Sequence, residues 1–326
     1  MRADPVRHGA SPRAWSAALA GALALAVSSG VATTTAAAAP TQAVRAAAVS
    51  SPAVPAPRAL LWKVSDADNH LYLLGSFHIL RPEDYPLPAS IDAAFADAER
   101  VAFEISPEEM RSPDLPRKMM AAGTIQRGPP LAQRLRPDTL RRLEAYCRQR
   151  NLSLEQLSRF EPWMVSLVIS LGEAARIGYQ PGKGLDQNLI DRAQAAGKPG
   201  IGLESADDQI AALDSMTPAE QEQSLLEALD DVDGMQARME ELHADWRRGD
   251  AAAIERVMNS ELKSSYPQLY QRINVARNDA WVPKLRRLLD APGHDDTLVV
   301  VGAMHLVGPD GVVAKLRASG YRVERL

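Results

Sequence analysis

The chain has 326 residues, 46% hydrophobic, 24% charged and 5% aromatic, with a formal charge of −4 and one cysteine, Cys147. These figures exclude a disordered or collagen-like chain, a disulfide framework and a cysteine-based zinc cluster, and they point away from nucleic acid as a partner. The length allows a sizeable hydrophobic core.

Arg2, Arg7 and Arg13 precede an apolar stretch from about Ala14 to Val31, followed by small residues. A basic segment, an apolar run and small residues in that order predict a secretory signal peptide. Cleavage after Ala32, or after one of the alanines at 36–39, predicts a leader over about 1–32 and export to the periplasm or beyond. Left uncleaved, the run is about long enough to anchor the chain in a membrane. Residues 33–57 are mostly Ala, Thr, Ser, Val and Pro with a single charge, Arg45. Such a segment has little to bury and is expected to be a disordered linker. Residues 1–57 hold four of the 37 basic and one of the 41 acidic residues, so 58–326 carries 33 basic against 40 acidic, a net −7. This acidity bears on solubility and identifies no partner.

Apolar runs at 60–64 and 71–75 around the polar cluster Ser65-Asp66-Ala67-Asp68-Asn69 predict a β-hairpin. Ile91, Ala94, Phe95 and Ala98 place one apolar face on a helix over 88–99. A strand follows at 100–105, and Ser106-Pro107 caps another helix. Residues 107–180 read as helical, with Cys147 on an apolar face and a capping box at Ser153-x-x-Gln156. After a break at 178–184 come a helix over 185–196, a strand over 199–204 and a helix over 206–216. Thr217-Pro218-Ala219-Glu220 combines a capping box with proline at the first helical position. It opens helical structure to about 290, broken near Gly249-Asp250 and Tyr266-Pro267. The apolar run 297–302 has the pattern of a strand buried on both faces. A helix over 311–319 and a strand over 320–326 close the chain. Strands at both ends and helices between them predict one α/β domain over 58–326, a central mixed sheet interrupted by a large helical insertion.

Four predicted strands end in polar residues: His78 after Gly75-Ser76-Phe77, Glu104 after Val101-Ala102-Phe103, Glu204 after Ile201-Gly202-Leu203, and His305 after Gly302-Ala303-Met304. In open α/β sheets ligands bind outside the carboxyl ends of the strands, so parallel neighbouring strands would bring these four together. With 20 Gly and 6 His, composition alone gives about 0.4 Gly-x-x-His motifs by chance, and here two follow β-runs. Imidazole and carboxylate are common metal ligands, and a divalent ion so held lowers the pKa of bound water. Each residue also has a structural reading. The histidines can be hydrogen-bonded core residues, Glu104 a solvated strand end, and Glu204 a helix cap. His243 beside Glu240, Glu241 and Asp245 is expected at the surface, His70 in the hairpin turn and His294 in a loop. Gly-x-Ser-x-Gly and His-Glu-x-x-His are absent, and Cys147 reads as a core residue.

The blocks Leu-Leu-Trp-Lys-Val and Leu-Tyr-Leu-Leu-Gly-Ser-Phe-His, Val-Ala-Phe-Glu at 101–104, Gly184-Leu185-Asp186, Gly-Leu-Glu at 202–204, Arg277-Asn278 with Trp281, and Val-Val-Val-Gly-Ala-Met-His together resemble the TraB/GumN family, which includes the Tiki metalloproteases. The resemblance runs from about 60 to 326 and suits an exported GumN-like bacterial member. It implies a Tiki/ChaN/erythromycin-esterase-like fold and a metal-dependent hydrolase, a peptidase by analogy with Tiki. By that resemblance His78, His305 and Glu104 hold a divalent ion (Mn, Co or Zn), with Glu204 beside them. Glu104 is then ligand or base, and Arg277 binds substrate or stabilises an oxyanion. Implied partners are a peptide or protein substrate, with no membrane span after leader cleavage. The alternative is a non-catalytic protein of the same fold that binds a metal, haem or a partner, with exopolysaccharide production as the setting the GumN name carries.

Overall fold

A computed structural model describes residues 58–326 apart from 231 and 233; the expected leader and linker lie outside the described residues. Six strands form one mixed sheet in the order β4-β3-β5-β2-β1-β6: β1 Leu61–Ser65, β2 His70–Ser76, β3 Arg100–Ile105, β4 Gly200–Glu204, β5 Thr297–Gly302 and β6 Arg322–Arg325. The pairs β2/β5, β5/β3 and β3/β4 are parallel, whereas β1 runs antiparallel to both β2 and β6. This is the single α/β domain expected from the pattern of strands and helices.

The register sets the level at which the strands end. Ser76 lies opposite Gly302, Phe103 opposite Val300, and Ile105 opposite Glu204. The carboxyl ends of four adjacent strands therefore share one sheet edge. Every residue of β5 is buried, as a central parallel strand covered on both faces must be. Leu298, Val299, Val300 and Val301 are at most 1% exposed, each contributing on the order of 1.5–3 kcal/mol of burial.

Helices occupy most of the chain between β3 and β4 and between β4 and β5. Part of the insertion builds a second apolar cluster around Leu131, Leu143, Val165, Ile169 and Leu225. Helix Pro162–Arg176 serves both cores, with Trp163 and Leu167 in the main one. Cys147 is a buried member of the second cluster, and burial raises its thiol pKa. The Thr217–Glu220 capping box forms in both directions. The Ser153 side chain makes no cap bond, so that expected box is corrected: the four-residue helix Leu154–Leu157 starts without it. The break at 249–250 has a clear cause. Gly249 takes φ +65 to end helix Met235–Arg248, and Asp250 caps the next turn by accepting from the Ala253 N–H at 3.0 Å. Two π-helical segments, Glu255–Ser260 and Gln271–Val275, interrupt what periodicity alone presents as ordinary helix.

Two histidine expectations are corrected. His70 is the first residue of β2, outside the turn. His243 is only 12% exposed at its side chain and its Nε2 lies 2.8 Å from Asp84 Oδ1. Its helix turns Met239, Leu242, His243 and Trp246 inward at helical spacing, and Phe77, Tyr179 and Trp246 surround the ring. Of the acidic neighbours that suggested a solvent face, Glu240 and Glu241 are exposed, whereas Asp245 is itself buried.

Candidate functional site

The shared strand edge brings His78, Glu104, Glu204 and His305 into one buried cluster with Arg277. His78 follows β2, and its Nδ1 lies 2.7 Å from Asp186 Oδ2; the other Asp186 oxygen accepts from the Ser76 hydroxyl at 2.8 Å. Asp186 sits in the first turn of helix Leu185–Ala195. That helix can approach because Gly184 lacks a side chain: a Cβ there would lie 2.1 Å from the His78 carbonyl oxygen. The remaining ring nitrogen, Nε2, faces Glu104 Oε1 at 3.8 Å.

Glu104 is held at both oxygens. Oε1 accepts from the Gly302 N–H at 2.7 Å, and Oε2 accepts from Gln209 Nε2 at 2.8 Å and Arg277 Nη2 at 2.6 Å. Arg277 comes from the first turn of helix Ala276–Leu289. Its Nε donates to Glu204 and its Nη2 to both Glu204 and Glu104, while Nη1 donates to the Ile273 carbonyl and to His305 Nε2 at 3.1 Å. Those contacts engage all five guanidinium N–H groups. Glu204 Oε2 also accepts from the Trp281 indole at 3.0 Å, and the Trp281 ring lies 4.5 Å from that of His305. His305 Nδ1 is 2.8 Å from Asn278 Oδ1. A cavity of about 440 Å³ beside helix Ala206–Asp214 reaches Glu204 and Arg277 and is walled by Leu203, Ala211, Ala212 and Lys284.

The sequence profile of the TraB/PrgY/gumN family matches residues 60–325. The chain belongs to the TraB/PrgY/gumN family. It is similar, at 25% identity over 250 residues, to the uncharacterized protein YbaP of Escherichia coli strain K12, with 77% of this chain and 89% of that protein covered. The Shigella flexneri protein of the same name matches to the same extent. An uncharacterized protein of Treponema pallidum strain Nichols is 24% identical over 274 residues, covering 79% of this chain and 80% of its own. No solved structure gives a significant match.

In this family member the electrostatics divide the two histidines. Burial opposes charge on His78, but Asp186, with help from Glu104, outweighs it and raises its pKa to about 9. Burial and the cationic Arg277 lower His305 to about 3, so that ring is neutral. Glu104 would be raised by burial, yet Arg277 dominates and holds it at about 2. For Glu204 burial outweighs the same guanidinium and the shift is upward. Arg277 itself is pushed down by burial and more strongly up by Glu104 and Glu204. One cation shared between two buried carboxylates cannot fully compensate both.

The donor set suits a divalent ion in part. Asp186, Glu104 and Glu204 against one guanidinium leave an excess of negative charge when both imidazoles are neutral. At Gly302 there is a notch that a Cβ would fill, 3.0 Å from His78 Nε2 and 3.2 Å from Glu104 Oε1. Those two atoms, 3.8 Å apart, supply two donors to one ion between them, short of the three protein ligands that a catalytic zinc site keeps. His305 turns its Cδ2 carbon to the notch, at 3.6 Å, and its Nε2 to Arg277. Glu204 is taken up by Arg277 and Trp281. Among the described residues no group of three His, Cys, Asp or Glu side chains forms a metal cluster.

Sequence reasoning about strand ends does not find Asp186, Gln209 or Asn278 as partners of the site. The signals were the glycine ahead of Asp186 and the adjacency of Asn278 to Arg277, both inside blocks that carry the family resemblance.

Proposed function

We propose that this chain is an exported hydrolase, with peptides as its substrate class, in which water is activated beside His78 and Glu104. The observation that supports this reading is the facing of His78 Nε2 and Glu104 Oε1 across the Gly302 notch. Asp186 anchors the far side of the imidazole, an arrangement that fixes the ring and raises its basicity. His78 Nε2 must lose its proton before it acts as base or ligand, and while protonated it can donate to a leaving group. Arg277 keeps Glu104 ionised and oriented, and Gln209 and the Gly302 N–H hold its two oxygens in place. A divalent ion held by His78 and Glu104 would supply hydroxide at neutral pH by lowering the pKa of bound water. Export rests on the leader pattern over 1–32. Among the described residues no helix is long and apolar enough to cross a membrane.

The test is metal content and peptide-library cleavage measured on one sample of purified protein. Cleavage that is lost in His78→Ala while the circular dichroism spectrum is retained supports the enzyme. Stoichiometric metal without cleavage across the library would replace it with a binding protein.

A further inference from the structure

Three buried asparagines extend from His305 away from the site. Asn259, Asn274 and Asn278 are each at most 1% exposed. The first two lie in the π-helical segments Glu255–Ser260 and Gln271–Val275, and such segments often accompany functional positions.

The hydrogen bonds among them can run in only one direction. Asn259 Nδ2 donates to the Met304 carbonyl at 2.9 Å and the Val307 carbonyl at 3.3 Å. A backbone carbonyl can only accept, so the amide group of Asn259 is oriented and its Oδ1 is left as acceptor. Asn274 Nδ2 donates to that Oδ1 at 2.9 Å. Asn274 Oδ1 in turn accepts from Asn278 Nδ2 at 2.5 Å, whose amide also donates to the Asp310 carbonyl at 2.9 Å. Asn278 Oδ1 is then an acceptor, and His305 Nδ1, 2.8 Å away, must carry the proton. The lone pair is left on Nε2, where Arg277 Nη1 donates at 3.1 Å.

We propose that Asn259, Asn274 and Asn278 are positioning residues: a polarised amide relay that fixes His305 as the Nδ1–H tautomer, so that His305 serves as the acceptor that orients Arg277 over Glu104 and Glu204. The relay begins at the carbonyls of Met304 and Val307, on the same turn as His305, so that turn and the helix carrying Arg277 are locked to one another. The value of this positioning to catalysis rests on the hydrolase reading, but the tautomer does not depend on it.

Long-range proton–nitrogen correlation on protein labelled with ¹⁵N-histidine reads the ring directly, with His305 assigned by its absence in His305→Asn. The expected wild-type result at neutral pH is a neutral His305 protonated at Nδ1. In Asn278→Leu, which removes the acceptor facing Nδ1, the Nδ1–H form should lose population. In Asn278→Asp, which keeps an acceptor oxygen, the proton should stay on Nδ1. A wild-type His305 protonated at Nε2 or at both nitrogens overturns the proposal, and so does an Asn278→Leu spectrum identical to wild type. The wild-type measurement decides even if a variant fails to fold. Failure of peptide cleavage leaves this result untouched, so the two readings fail separately.

Discussion

The imidazole of His78 lies 2.7 Å from the carboxylate of Asp186, a residue 108 positions further along the chain. This contact makes His78 the more basic of the two site histidines, while His305, beside Arg277, is the less basic one. Asp186→Asn should therefore bring the His78 pKa down from about 9 toward its ordinary value, because burial, which disfavours the imidazolium, would then be opposed by Glu104 alone. Histidine NMR titration of the metal-free protein measures this. A His78 pKa that stays near 9 in the variant would contradict the assignment of Asp186.

Because the two histidines shift in opposite directions, their joint contribution to stability should peak near pH 6.5. Above that pH the unfolded chain releases the His78 proton while the native state keeps it, so this stabilisation declines until about pH 9. Below it the unfolded chain protonates at the position of His305 while the native ring stays neutral, so stability declines toward about pH 3. Glu104, with its native pKa at about 2, adds to the acid loss below the ordinary carboxylate range. Each histidine limb has a maximal slope of about 1.4 kcal/mol per pH unit. Urea midpoints across the range should show both limbs, and Asp186→Asn should flatten only the alkaline one.

Arg277 compensates two carboxylates whose side chains are no more than 8% exposed. Arg277→Met leaves both without a counter-ion and should cost about 3–5 kcal/mol, the usual consequence of breaking a buried ion network from one side. Arg277→Lys restores charge without the planar fork and should recover only part of it. A loss below about 1 kcal/mol in equilibrium denaturation, the range of an exposed pair, would show that the cluster is more hydrated than its burial implies.

Gly302→Ala tests the place where the proposed reaction puts its water. The Gly302 backbone, at φ −50, accepts alanine, but the new methyl would sit in the notch between His78 Nε2 and Glu104 Oε1. On the proposed hydrolase reading, cleavage should fall by at least tenfold, and because His78 and Glu104 must yield by a few tenths of an ångström the melting temperature should fall as well; retained cleavage would place the reacting water elsewhere.

At Gly184 the expectation is different. A Cβ 2.1 Å from the His78 carbonyl oxygen forces backbone apart from backbone, so Gly184→Ala should destabilise by about 1–3 kcal/mol, as overpacking does. It should also draw Asp186 away and lower the His78 pKa. Thermal denaturation and the same histidine titration check both effects.

The amino-acid sequence alone determined the sheet and the four polar strand ends. Run length, β-branched content and a glycine three positions before each histidine are local properties, and they held because β2, β3, β4 and β5 do lie parallel and adjacent. The surface placement of His243 failed because flanking charge is a weaker guide than the inward stripe of Met239, Leu242 and Trp246. Only the tertiary structure decided what each strand-end residue does. Asp186 against His78, Gln209 against Glu104 and Asn278 against His305 are contacts between distant segments. They depend on where helices lie over the sheet edge, which no single-segment periodicity encodes. The commitment of Arg277 is the sharpest case. One arginine beside an asparagine in a helix carries no local sign of its partners, and its five N–H groups find them only when β3, β4 and the turn bearing His305 meet around it.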